Sequence, residues 1–77
     1  MKAIVSPTLE IQKEIENLLL KQNIKWTSLK IYETSDGFLV EIESPDVKNN
    51  LEGIELSDKL EKQLKYLDVS IAILPSN

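Results

Sequence analysis

The chain contains no cysteine and no histidine, and all nine of its basic residues are lysine, so arginine is missing as well. These absences remove most site chemistry at once. Without cysteine there are no disulfides, thiolate zinc sites, iron–sulfur clusters or thiol nucleophiles. Without histidine the commonest metal ligand and the usual neutral-pH acid–base group are gone. Without arginine the chain lacks the planar fork that dominates specific phosphate and guanine recognition, so no nucleic-acid partner is expected. No apolar run approaches the ~20 residues of a membrane span, and residues 1–6 are too short and too weakly basic for a secretory signal. Membrane insertion is therefore not expected, and the default location is cytoplasmic.

What remains is 77 residues with a net charge of −4, 42% hydrophobic and 29% charged, both signs being interspersed. That composition describes a single small domain, residues 1–77, that folds without a cofactor. A chain of this size hides only about 60% of its unfolded surface, enough for one modest core.

Ser6-Pro7 reads as a helix start, with Ser6 as N-cap and Pro7 at the first helical position, and the helix should run to about Gln22. Ile11, Ile15, Leu18 and Leu19 fall on one stripe of it, the spacing of a helix lying on a core. Leu9 and Leu20 fall on the opposite side and are expected to be exposed. From Thr27 to Ser44 the apolar period changes to two, with Leu29 and Ile31 on one strand and Phe38, Val40 and Ile42 on the next. Asp36-Gly37 is the expected hairpin loop. That loop places Thr34 opposite Leu39, Tyr32 opposite Glu41 and Lys30 opposite Glu43.

Ser44-Pro45-Asp46 closes the second strand, and Val47–Asn50 reads as a polar connection whose asparagines can cap a second helix. Leu56, Leu60, Leu64 and Leu67 form the apolar stripe of that helix. Its start is open: Asp58 and Glu61 have capping-box spacing and permit a beginning as late as Ser57. Gly53 either lies on the helix, where it allows close approach to the sheet, or belongs to the loop. Asp68–Leu74 alternates as a last strand that Pro75 ends. The expected class is α+β, a two-layer αββαβ sandwich with both helices on one face of an open sheet. A strand at residues 2–5 would make it a ferredoxin-like βαββαβ fold.

Two helices with one apolar stripe each cover one face of such a sheet, leaving the other parity to meet solvent or a partner. That parity carries Trp26, Lys30 and Tyr32, then Leu39, Glu41 and Glu43, then Leu74. Aromatic and apolar residues set among small and charged ones are what interface centres favour, so these residues form the candidate partner-binding site. The alternative for Trp26 is that it precedes the strand and packs over the end of the first helix. No catalytic site is expected. The hydroxyls of Ser6, Thr8, Ser35 and Ser57 have no histidine base, and no carboxylate pair has the spacing of an acid–base dyad. Oxygen-only metal binding around Asp46, Glu52, Glu55 and Asp58 lacks the calcium-loop pattern, so no metal site is assigned.

In order and pattern, residues 8–75 resemble the cytoplasmic regulatory domain of cation diffusion facilitator transporters. The resemblance rests on Asn23-Ile24-Lys25, Leu29-Lys30-Ile31, Gly37, Phe38-Leu39-Val40-Glu41-Ile42-Glu43, the stretch from Leu56 to Leu64, and Val69 to Pro75. It implies an αββαβ domain that pairs as a dimer and responds to divalent metal, although the histidines that the family uses for metal have no counterpart here. The leading expectation is a non-catalytic interaction or assembly module, binding a protein partner or a second copy of itself. The alternatives are a small acidic inhibitor of a nucleic-acid-handling protein and a metal-responsive regulator using carboxylates. No small-molecule substrate is expected.

Overall fold

The computed structural model describes residues 7–64 and 68–76. Helix α1 (Pro7–Lys21) is followed by strands β1 (Ser28–Thr34) and β2 (Gly37–Ser44), helix α2 (Asn50–Gln63) and strand β3 (Val69–Pro75), the αββαβ order that the periodicity predicts. The strands form one open mixed sheet in the order β1-β2-β3, with β1 antiparallel and β3 parallel to β2. Residues 2–5 and the proposed cap Ser6 lie outside the described residues. A ferredoxin-like order would set a strand between the two strands of each βαβ unit, whereas β2 and β3 here are direct neighbours.

The predicted stripe of α1, Ile11, Ile15, Leu18 and Leu19, is buried, and Leu9 and Leu20 are exposed. These four join Val40 and Ile42 of β2, Leu60 and Leu64 at the end of α2, and Val69, Ile71 and Ile73 of β3 in a single cluster. Leu67 lies outside the described residues. Helix α1 stops because Asn23 adopts φ 61°, the left-handed conformation. The Ile24 N–H then reaches back to the Leu19 carbonyl at 2.9 Å and the Asn23 N–H to that of Leu20 at 3.0 Å. This pairing satisfies the last carbonyls of the helix and turns Ile24 onto the core.

The hairpin differs from the sequence reading by two in register. Its loop is Ser35-Asp36, not Asp36-Gly37, so Thr34 pairs with Gly37, Tyr32 with Leu39, Lys30 with Glu41 and Ser28 with Glu43. Gly37 belongs to the strand, where φ 150° brings its backbone against Asp68. A Cβ at Gly37 would overlap the Asp68 carbonyl oxygen, which accepts the Phe38 N–H at 2.9 Å. The glycine is thus needed twice, for a φ that residues with a Cβ rarely adopt and for a contact distant in sequence. A slip of two leaves every side chain on its expected face, because strand parity is unchanged.

Helix α2 starts at Asn50, before the late start that Asp58 and Glu61 had permitted. Asn49 is the N-cap, its side chain accepting the Glu52 N–H at 2.9 Å, while the Glu52 carboxylate takes the Lys48 N–H at 2.9 Å. Val47, read as part of a polar connection, is buried in the core. Gly53, Ser57 and Glu61, one helical turn apart, all face the outer edge of β3. The Ser57 hydroxyl donates to the Gly53 carbonyl at 2.7 Å and accepts the Ile73 N–H at 3.1 Å, and Glu61 accepts the Ile71 N–H at 2.8 Å. Gly53 sits so close that a Cβ there would overlap the Ile73 carbonyl oxygen.

Two opposing magnitudes make Gly53→Ala informative. Helix propensity alone favours alanine by about 1 kcal/mol. Overlap with a backbone atom that cannot step aside costs typically about 1–3 kcal/mol or more. We expect net destabilisation in urea unfolding; a gain in stability would mean that the contact between α2 and β3 is looser than described. Ser57→Ala should cost about 1–3 kcal/mol by leaving the Ile73 N–H buried without an acceptor.

Candidate functional site

The second face of the sheet is organised as three rungs. Ser28, Glu43 and Leu74 stand in register across the strands, then Lys30, Glu41 and Ala72, then Tyr32, Leu39 and Ser70. Six of the seven candidate residues, Lys30, Tyr32, Leu39, Glu41, Glu43 and Leu74, therefore occupy this face. Tyr32 is 44% exposed and Leu74 38%, while Leu39 and Glu41, on the central strand, are half-buried by their neighbours. Tyr32 and Leu39 are direct cross-strand partners, and the side chains of such a pair lie about 5 Å apart. Leu74 is two rungs away from them. Lys30 stands opposite Glu41, with Glu43 one rung further along the same strand. The face thus has an aromatic–aliphatic end, a charged middle and a leucine at its far corner.

Trp26 does not belong to this face. Extending strand parity back to residue 26 assumed a regular strand there, but β1 begins only at Ser28 and Thr27 is a bend. The indole is half-buried against the core cluster, and the backbone on either side of it is tied down. The Lys25 N–H donates to the Asp46 carboxylate at 2.8 Å and the Lys25 carbonyl accepts the hydroxyl of buried Ser44. On the other side, the Thr27 N–H donates to the Glu43 carbonyl at 2.8 Å, and the Thr27 hydroxyl bonds that of Ser76 at 2.8 Å. These contacts fix the loop against the end of the hairpin.

A second apolar surface was not read from the sequence. Ile54, 58% exposed, flanks the buried stripe of α2, and Leu51, 65% exposed, lies opposite it. Between α2 and β3 runs an open groove of about 370 Å³, lined by Asn50, Ile54, Asp58, Ala72 and Leu74, with buried β3 residues at its base. Leu74 links this groove to the open face. The four-residue spacing of Gly53, Ser57 and Glu61 was the available signal, because a helix side of small and polar residues leaves Ile54 on the adjacent, uncovered side.

Three of the oxygen-bearing candidates for chemistry, Ser57, Asp46 and Glu52, are engaged in the architecture. Ser57 bonds backbone on both sides, Asp46 holds Lys25, and Glu52 closes the start of α2. Asp46, Glu52 and Glu55 border a shallow depression together with Lys59, while Asp58 lies on the separate groove beside β3. Among the described residues no three acidic side chains converge on a position that could hold a metal ion, and no helix is long and apolar enough to cross a membrane. No family model matches the chain, and comparison with curated proteins and with solved structures returned no match.

The placement of Trp26 separates its role from that of Tyr32. Trp26→Ala should lower the unfolding free energy by about 1–3 kcal/mol, a fraction of the cost of a fully buried tryptophan. Tyr32→Ala, on an exposed site, should stay within about 1 kcal/mol of the parent. Urea denaturation of both variants tests this, and equal effects would place the indole on the surface.

Proposed function

We propose that the chain is a non-catalytic protein-interaction module of two-layer αββαβ architecture that docks a protein against the open face of its sheet. The observation that carries this reading is the composition of a face over which no described element packs: exposed Tyr32 and Leu74, half-buried Leu39 and Ala72, and the charges of Lys30, Glu41 and Glu43. Apolar and aromatic groups there offer area to bury, and a tyrosine retains a polar atom for a hydrogen bond at the rim. The two glutamates outnumber the single lysine and the whole chain carries −4, which favours a partner presenting cationic side chains beside apolar ones. The resemblance to transporter regulatory domains points the same way, since those domains act by pairing. Their metal response is not part of the proposal, because this chain has no histidine.

A photo-crosslinking residue placed at Leu74 should give a discrete protein adduct in cells that express the chain naturally, and the same residue at Leu20, exposed on α1, should not. Tyr32→Glu should abolish the Leu74 adduct while leaving the melting temperature within a few degrees of the parent. No adduct at Leu74, or equal labelling at Leu20, would count against docking through the face.

A further inference from the structure

The two edges of the sheet are finished differently. On β3 the outward N–H groups of Ile71 and Ile73 are taken by Glu61 and Ser57 of α2, and Pro75 has no N–H to offer. Among the described residues the other edge has no such cover. Strand β2 sends the Phe38 N–H towards β3, to Asp68, and receives the Thr27 N–H at the Glu43 carbonyl from the β1 side. Backbone groups of successive strand residues point to opposite edges, so the odd-numbered residues of β2 face β1. The register then turns the backbone of Lys30 and Tyr32 towards β2 and that of Leu29, Ile31 and Glu33 outwards. Among the described residues no strand lies beyond β1, and Leu29 and Ile31 are only partly buried.

We propose that a second copy of this chain pairs along this edge, β1 against β1, antiparallel about a two-fold axis through Ile31. The inference goes beyond docking on the open face and does not depend on it. Three constraints select this register. First, opposed residues must share parity, or one copy would present its core side chains on the solvent face. Second, pairing centred on Ile31 overlaps the whole strand, Ser28 lying opposite the partner's Thr34, whereas any shift shortens the ladder. Third, charge disfavours two of the shifted registers. Centring on Lys30 opposes two lysines and centring on Glu33 opposes two glutamates, both unfavourable. Centring on Ile31 sets Lys30 against the partner's Tyr32, where an ammonium can meet an aromatic ring, and sets Ile31 against its own copy on the core side. A symmetric pair requires the antiparallel arrangement, because a two-fold axis relates identical surfaces.

Glu33→Pro tests the edge without touching the open face. Glu33 is exposed and its N–H points outwards, a setting in which an edge strand tolerates proline. By symmetry the variant removes two hydrogen bonds between the copies, so dimerisation followed by sedimentation equilibrium should weaken at least about tenfold. Leu74→Glu, on the far side of the sheet, should leave it unchanged. Because the chain has no cysteine, disulfide trapping can read the register directly. Lys30→Cys mixed with Tyr32→Cys should form the mixed disulfide in preference to either homodisulfide, since opposed residues of a non-hydrogen-bonded pair have Cα atoms about 4.5 Å apart. That readout also decides the matter if Glu33→Pro fails to fold. A chain that remains monomeric at millimolar concentration would overturn the inference. So would a dimer that Leu74→Glu breaks and Glu33→Pro spares, an outcome that would leave docking through the face intact.

Discussion

The fold depends on the contact between α2 and the outer edge of β3. A parallel strand joined through a helix must be held by that helix, because its hydrogen bonds to β2 form only after the crossover closes. Here the helix does more than cover the sheet. Through Gly53 it brings its backbone against the Ile73 carbonyl, and through Ser57 and Glu61 it accepts two of the strand's outward N–H groups, those of Ile73 and Ile71. Helix and strand are thus joined by polar contacts at the edge and by Leu60, Ile71 and Ile73 in the core. With α2 fixed in this way, β3 is aligned on β2, and Ser70, Ala72 and Leu74 complete the open face.

The face therefore owes its composition to the helix packed behind the edge. Leu74 stands beside both the face and the groove formed with Ile54, so the apolar surface continues from the sheet around to the helix. At the same end of the sheet, Ser44 and Asp46 hold the segment around Trp26, while Ser76 returns to the Ser44 carbonyl and to Thr27. Short polar links between loops distant in sequence locate β1 at its first residue, and the regular register then carries that position along the strand to Tyr32.

Much of this was legible from residue spacing. The stripe of α1, the alternation of β2 and β3 and the division of the sheet into a core face and an open face follow from periods of 3.6 and 2, which local sequence displays directly. Six of the seven candidate side chains share a face for that reason. The failures share another cause. The hairpin loop was misplaced because Gly37 is set by its contact with Asp68, on a different strand connection, and a glycine after an aspartate looks like a turn whatever its distant neighbour is. Of the two placements open to Trp26, the packed one holds, because parity has meaning only inside a strand, and Thr27 bends. Val47 is buried although its sequence neighbours are polar, since the chain between β2 and α2 crosses the end of the core. In each case the deciding contact joins residues far apart in the chain, which periodicity does not report.

A sheet is ordinarily a template with two growing ends, and small sheet proteins meet that hazard with charges, prolines or bulges on both edges. This one has closed one end with a helix. Among the described residues the edge open to a further strand is therefore that of β1, because on the β3 side the Ile71 and Ile73 N–H groups are already taken by the helix. Edge pairing of the kind proposed would terminate at a single step. The Gly53, Ser57 and Glu61 side of α2, besides holding β3 in place, would then limit such pairing to a discrete pair and keep it from growing into a polymer.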